Sequence, residues 1–310
     1  MANFEDAWNE YWQSGLSTSC VSNGEDSYPP AIEKFWEKFF LILKDGDHIA
    51  DLCTGGGGVP QLIIDYCENK NLQLDIAMTD LAIIQNKLLT KKGVNITYHS
   101  ECNCEEQPFK NAEFNIVTSS FGIEYSDSSK TAKEIYRTLK AGGYFATVMH
   151  CYDSEIVKNS NKQLKQAFDI LYEYNFFPLF KKTYLSKSKS RVFQKSAEKK
   201  LRACLEDIKT KLLHNKDLHV YRMVLNAAHD IFVYGQTNKP VKCIEYINET
   251  ENALISNYQR MKNLSEVVLS SNKIEAFIEE IESIGFSVIY NKKIISDENK
   301  ILGLGLICKK

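Results

Sequence analysis

The chain has 310 residues, 44% of them hydrophobic and 25% charged, with a formal net charge of −2. That is apolar material enough for a full core and an added subdomain, and the small net charge excludes a protein driven as a whole toward polyanions or anionic membranes. No apolar run approaches the roughly 20 residues of a membrane helix. The opening Met-Ala-Asn-Phe-Glu-Asp lacks the basic-then-apolar order of an export signal. Nine cysteines are scattered without CxxC spacing. Cys102 and Cys104 are two apart with no second pair, so no zinc or other metal site is expected. Reduced thiols in a cytoplasmic protein are the expectation.

In chain order, residues 4–14 read as a short amphipathic helix carrying Phe4, Trp8, Tyr11 and Trp12, followed by a Ser/Thr/Asn/Gly-rich loop to Ser27. Pro29-Pro30 opens a helix at its first turn, with Ile32 to Leu43 as its apolar body. Ile49 to Leu52 then forms an apolar strand that carries Asp51 and runs into Gly55 to Gly58, behind which Val59 to Tyr66 is helix-forming. Strand, glycine turn and helix in that order let a ligand lie against bare backbone near free N–H groups. Close helix–strand packing is the alternative use of such glycines. The strand Leu74 to Thr79 ends in Asp80, about 20 residues beyond the turn, which suits a carboxylate accepting from a ribose diol; a helix N-cap is its plainer role. Pro60 falls where a dinucleotide turn needs its third glycine, and Gly-Lys-Ser/Thr is absent. The pocket therefore reads as built for a nucleoside without a pyrophosphate.

Further on, the expected helices are about 81–91 and 128–140, and the expected strands 94–98, 114–119 and 143–149. This alternation predicts an α/β fold with a doubly wound, mostly parallel seven-stranded sheet. The strands are apolar throughout, as when helices cover both faces. Residues 154–270 carry helical stretches at about 155–175, 193–213, 217–233 and 247–263, too long for a loop. They read as an inserted helical lid whose aromatics (Phe168, Tyr172, Tyr174, Phe176, Phe177) supply a substrate pocket, or else pack a self-contained bundle or a dimer interface. Residues 273–284 form a helix closed by Gly285. Phe286 to Ile295 and Ile301 to Lys309 are strands joined by a turn too short for anything but an antiparallel pair. The predicted division is a core of residues 1–153 and 271–310 and an insertion of residues 154–270.

Four segments, in order and at matching spacing, carry a resemblance to the class I S-adenosylmethionine-dependent methyltransferases. Asp51-Leu52-Cys53-Thr54-Gly55-Gly56-Gly57 resembles their glycine motif, with Cys53 replacing a small residue, often glycine, and Asp80 sits where their ribose-binding acid lies. Cys102-Asn103-Cys104-Glu105-Glu106-Gln107-Pro108-Phe109 is similar to their G-D-A-E-x-L-P-F loop, with Asn103 where an acid usually accepts from the adenine amino group. Phe114-Asn115-Ile116-Val117 with Ser119-Ser120-Phe121-Gly122 matches their fourth strand and its exit. Glu134 to Gly143 resembles their E-x-x-R-V-L-K-P-G-G segment. The resemblance implies S-adenosylmethionine as cofactor, held by Asp51, Cys53, Gly55, Gly57, Asp80, Leu81, Asn103, Cys104, Ser120 and Phe121; Tyr11 and Trp12 could close over its methionine end, or belong to an amphipathic helix that caps the sheet.

Methyl transfer from a sulfonium asks the protein for position, exclusion of water and sometimes a base. The candidates follow the fourth and fifth strands. His150 could take a proton from a nucleophile, Glu124 could hold a cationic amine or act as base, and Tyr125 could orient a substrate. Each has a bland counterpart in packing or solvation. The expected acceptor is the O or N of a small molecule. A tRNA or rRNA methyltransferase is the second reading, because residues 181–200 contain eight Lys/Arg and one acid, with Tyr184 and Phe193 interleaved. A solvated basic helix is the commoner meaning of such a run. A non-catalytic cofactor-binding protein is the third.

Overall fold

The computed structural model describes residues 4–19, 26–84, 93–185 and 191–310. It divides into two compact units, one of Met1–Ala7 and Asn159–Lys262, the other of Trp8–Lys158 and Asn263–Lys310. The first elements are α1 (Phe4–Trp12), α2 (Pro30–Phe40), β1 (His48–Leu52), α3 (Gly58–Lys70), β2 (Leu74–Thr79), β3 (Val94–His99) and β4 (Phe114–Ser120). Then come α4 (Ser128–Thr138), β5 (Leu139–Met149), α5 (Glu155–Phe168), α6 (Phe176–Leu185), α7 (Arg191–His214), α8 (His219–Thr237) and α9 (Pro240–Val267). The chain closes with α10 (Ser271–Ile284), β6 (Ser287–Ile295) and β7 (Ile301–Lys309).

Among the described residues the strands form one seven-stranded sheet in the order β3-β2-β1-β4-β5-β7-β6. β1 to β5 are mutually parallel, and β7 lies antiparallel between β5 and β6. The expected architecture is present, including its antiparallel ending. From β1 the chain winds outward through β2 and β3, then returns to place β4 on the other side of β1. That reversal opens a crevice at the carboxyl ends of β1 and β4, where open α/β sheets hold ligands.

Each face of the sheet is covered, which is why the strands are apolar on both sides. On one face Ile32, Trp36 and Phe40 of α2 and Ile63 and Ile64 of α3 pack on Ile49, Ile76 and Ile116. On the other, Ile135 of α4 and Phe277 and Ile281 of α10 pack on Leu52, Val117, Phe145 and Leu306. Burying side chains such as Trp36 or Phe40 stabilises by about 1.5–3 kcal/mol each. Helix ends follow local chemistry. Pro30 sits in the first turn of α2, Asp127 caps α4 by accepting from the Lys130 N–H, and Gly285, at φ 118°, ends α10.

Several boundaries differ from expectation. β5 starts at Leu139 rather than Gly143, because Leu139 already pairs with Phe114 before a register shift. The helix expected at 155–175 ends at Phe168 and continues as a wider turn over Asp169–Glu173. α6 was not anticipated. The helix expected at 81–91 falls mostly on residues outside those described.

The helical unit has its own core. Phe176, Phe177, Phe180 and Tyr184 are buried there with Ile170, Ile208, Val224, Ile231 and Ile247. Phe176 and Phe177 are thus consumed by that core, while Phe168 and Tyr172 are exposed and pack on one another with their rings tilted by 47°. No helix among the described residues is long and apolar enough to cross a membrane.

Candidate active site

The carboxyl end of β1 turns sharply. Cys53, Gly55 and Gly57 all have positive φ, at 52°, 55° and 87°, and α3 starts at Gly58. Asp80, just past β2, faces this turn. Its Oδ2 accepts the Gly55 N–H at 2.7 Å and its Oδ1 accepts the Ala82 N–H at 2.8 Å. Asp80 therefore does tie local backbone, yet a carboxylate with two bonds keeps two lone pairs for a ligand. Burial pushes its carboxyl up to about 6, against the pull of the two N–H bonds. Leu81, next in the chain, is exposed and offers an apolar surface beside it.

Asp51 has another duty. It is buried in β1 and accepts the Thr118 hydroxyl of β4 at 2.6 Å, because the register sets Asp51 opposite Thr118. Burial drives its carboxyl up to about 7 despite the hydroxyl bonds. It braces the two strands that flank the crevice.

The glycines also serve close packing. A β-carbon on Gly55 would lie 2.3 Å from the indole of Trp12, and one on Gly56 would lie 1.9 Å from the Leu16 carbonyl oxygen. The segment after α1 therefore covers the turn directly. Tyr11 packs edge-on to Trp12 and donates its hydroxyl to the Thr18 carbonyl at 3.1 Å. Trp8 meets Tyr125 edge-on with centroids 5.6 Å apart, and Asn9 accepts the Ile83 N–H at 2.7 Å. The N-terminal aromatics so bridge the glycine turn, the loop after Asp80 and the loop after β4.

The 102–109 loop is clamped by the motif that resembled E-x-x-R. Arg137 pairs with Glu134 and donates to the Phe109 and Gln107 carbonyls at 2.7 and 3.1 Å, while Glu134 accepts the Gln107 N–H at 2.9 Å. Asn103 is exposed, and its side-chain oxygen accepts the Glu105 N–H at 2.9 Å. Cys104 is buried, with its sulfur 4.0 Å from that of Cys53.

At the ends of β4 and β5 the chain assembles a buried pair. His150 Nδ1 lies 2.7 Å from Glu124 Oε1, which also accepts the backbone N–H of His150 at 2.8 Å. Both residues are under 10% exposed, at 3% and 7%. A carboxylate only accepts, so Nδ1 carries the proton and Nε2 keeps its lone pair, a tautomer assigned from this bond. Phe121, in the left-handed region at φ 56°, packs on the imidazole with centroids 4.4 Å apart, and Tyr125 meets it edge-on at 6.2 Å.

Four buried polar atoms near these strand ends have no hydrogen-bond partner among the described residues: the hydroxyls of Ser119, Ser120 and Thr147, and Glu124 Oε2. Buried polar groups are nearly always paired. Orphans gathered at a sheet's ligand edge, beside glycine backbone and a buried acid, fit a nucleoside cofactor with hydroxyl and amino hydrogens to give. Ser119 and Thr147 escaped the sequence reading. For Ser119 the signal was a polar Thr118-Ser119-Ser120 run ending an otherwise apolar strand.

Gly122 explains a tight spot. A β-carbon there would lie 2.3 Å from Cys53 Cβ. Gly122→Ala should therefore cost about 1–3 kcal/mol by overpacking, measured as a loss in denaturant midpoint. Adding Cys53→Gly removes the obstacle and suits the positive φ at 53, so the double variant should recover most of the loss. Additive losses would show that the strain lies elsewhere.

The basic stretch is less available than its sequence suggested. Lys181 pairs with Glu251. Tyr184 is buried, its hydroxyl donating to the Ile231 carbonyl at 3.2 Å. Phe193 is exposed, and residues 186–190 lie outside those described.

The chain is similar to several known proteins. The ubiquinone/menaquinone biosynthesis C-methyltransferase UbiE of Xanthomonas oryzae pv. oryzae is 30% identical over 118 residues, covering 36% of this chain and 47% of its own. UbiE of Xylella fastidiosa matches to the same extent. The chain thus spans about half the length of the curated relatives it matches. A SAM-dependent methyltransferase from Aquifex aeolicus aligns over 89% of this chain and 88% of its own, at 12% identity and a TM-score of 0.41. The model of the ubiE/COQ5 methyltransferase family matches residues 31–208. From the glycine turn through the buried dyad, then, and across more than half of its length, the chain belongs to the ubiE/COQ5 methyltransferase family.

Proposed function

We propose that the protein transfers a methyl group from S-adenosylmethionine to a small acceptor molecule, with His150 as general base. The observation that carries this is the buried His150–Glu124 contact beside orphaned polar atoms at the ligand edge of the sheet. S-adenosylmethionine, when bound, supplies a sulfonium-activated methyl group open to in-line displacement. Asp80 would take the ribose hydroxyls, Leu81 the adenine face, and the glycine backbone the region beneath Trp12. Glu124 fixes the imidazole through Nδ1, so Nε2 can remove a proton from the acceptor. Phe121 and Tyr125 hold the ring and keep water from it.

The relatives are named C-methyltransferases, which widens the expected acceptor from oxygen or nitrogen to carbon. Loss of a hydroxyl proton turns a phenol or enol into an anion whose neighbouring carbon is nucleophilic, and the same base serves each case. The RNA reading loses ground with Tyr184 buried and Lys181 paired. The test uses S-adenosylmethionine carrying a labelled methyl and panels of phenols, enolisable ketones and amines. Label in a small product, with S-adenosylhomocysteine formed in equal amount, is expected. Label recovered only in RNA, or calorimetry with no binding of either nucleoside, would reject the proposal.

A further inference from the structure

Cys53 and Cys104 are 51 residues apart in sequence, and their sulfurs lie 4.0 Å apart on the two loops that flank the proposed nucleoside site. The resemblance places both residues along the cofactor site, but the proposed methyl transfer gives their sulfurs no chemical role. Cys53 holds a left-handed backbone at φ 52°, a conformation residues with a β-carbon rarely adopt. Its β-carbon is wedged against Gly122, which aims its side chain across the crevice. Cys104 is buried 3.6 Å from the Thr131 hydroxyl, itself 2.7 Å from that of Ser126. Two thiols are thus held face to face, the buried Cys104 sulfur beside the Thr131 hydroxyl and the Cys53 sulfur partly buried.

We propose that Cys53 and Cys104 form a redox-active pair, which a hydroperoxide converts to a disulfide that ties the loop after β1 to the loop after β3 and weakens the nucleoside site. The Cys53 thiol donates toward Cys104, and this favours the Cys104 thiolate. The same bond and burial hold the Cys53 proton in place. In the first step the Cys104 sulfur attacks the distal oxygen of the hydroperoxide. An S–O bond forms, the O–O bond breaks, and the departing alkoxide takes up a proton to leave as the alcohol, giving a sulfenic acid. The Cys53 sulfur then attacks the Cys104 sulfur. The S–S bond forms, the S–O bond breaks, and the hydroxyl leaves with the Cys53 proton as water. Two electrons pass from the thiol pair to the peroxide. The sulfurs must close from 4.0 Å to about 2.05 Å, drawing both loops inward. A dithiol restores the pair.

The consequence for nucleoside affinity rests on the function proposed above; the cross-link itself does not. The full chain is treated with hydrogen peroxide, digested without reduction, and mapped by tandem mass spectrometry. A peptide joined through Cys53 and Cys104 is expected, and it should vanish in Cys104→Ser. Calorimetry with S-adenosylhomocysteine should show the oxidised protein binding about tenfold more weakly than the same sample after dithiothreitol, within the usual range of coupling between two sites. A bridge from Cys104 to Cys102, sulfinic acid at Cys104 without a bridge, or an oxidised protein that binds as well as its reduced form would overturn the proposal. If the reduced protein binds no nucleoside while the Cys53–Cys104 bridge forms, the function reading fails and the redox pair stands.

Discussion

His150→Ala should slow methyl transfer by roughly 10²–10⁴-fold, the usual worth of a positioned base, while S-adenosylhomocysteine binds as before. The imidazole is at the exit of β5, where Glu124 Oε1 accepts both its Nδ1–H and its backbone N–H. One carboxylate oxygen therefore fixes the ring plane, the tautomer and the chain that carries the ring. With Nδ1 occupied, Nε2 is the only ring atom left to accept a proton. Glu124→Gln tests the positioning directly. An amide can present oxygen or nitrogen to Nδ1, so the tautomer is no longer dictated, and turnover should fall by about tenfold or more. Single-turnover transfer of a labelled methyl, beside a calorimetric dissociation constant, separates chemistry from binding. Full turnover in His150→Ala would assign the histidine to packing. Unchanged turnover in Glu124→Gln with loss in His150→Ala would remove Glu124 from the mechanism.

Cofactor affinity should fall as the solution is acidified through about pH 6. Burial raises the free Asp80 carboxyl to about 6. Ribose hydroxyls are donors, and a charged acceptor holds them more strongly than a protonated one. Binding thus favours the ionised site, and each pH unit below about 6 should weaken it about tenfold. Asp80→Ala removes the acceptor. Its affinity should drop about tenfold to a hundredfold, the loss of a charged hydrogen bond of about 1.5–3 kcal/mol, and the acid limb should disappear. Calorimetry between about pH 5 and pH 8 reads both effects. A pH-independent affinity in the native chain, or an unchanged constant in Asp80→Ala, would leave Asp80 as a brace for Gly55 and Ala82 alone.

The same shifts bear on stability, with the opposite reading. Asp51 and Asp80 have folded values of about 7 and about 6, above their ordinary 3.8. The protonated acids sit in the fold at less cost than the ionised ones. Their contribution is fully present below about pH 4 and is lost as pH rises through about 6 and 7. The ligand-free chain should lose thermal stability over that interval from these two groups, and Asp51→Asn should flatten the slope while keeping an acceptor for Thr118.

The order and type of the sheet's elements were legible in the sequence because they depend on neighbours along the chain. Short apolar runs and helical stretches report local burial, prolines and glycines mark ends, and a turn as short as residues 296–299 permits only an antiparallel pair. The acid at the end of β2 and the glycines after β1 could be found the same way. Residue composition failed where burial is decided at a distance. Phe176, Phe177 and Tyr184 looked like pocket or stacking aromatics, yet the helical unit needed them for its own core. What only the tertiary structure decided are the meetings across the crevice: Glu124 with His150, Trp12 on Gly55, and Cys53 opposite Cys104. Those contacts depend on the strand order, which gathers the exits of β1, β4 and β5 at one end of the sheet and so brings together loops far apart in sequence. No local pattern encodes that closure. It follows from the strand order that buries both faces of the sheet at once.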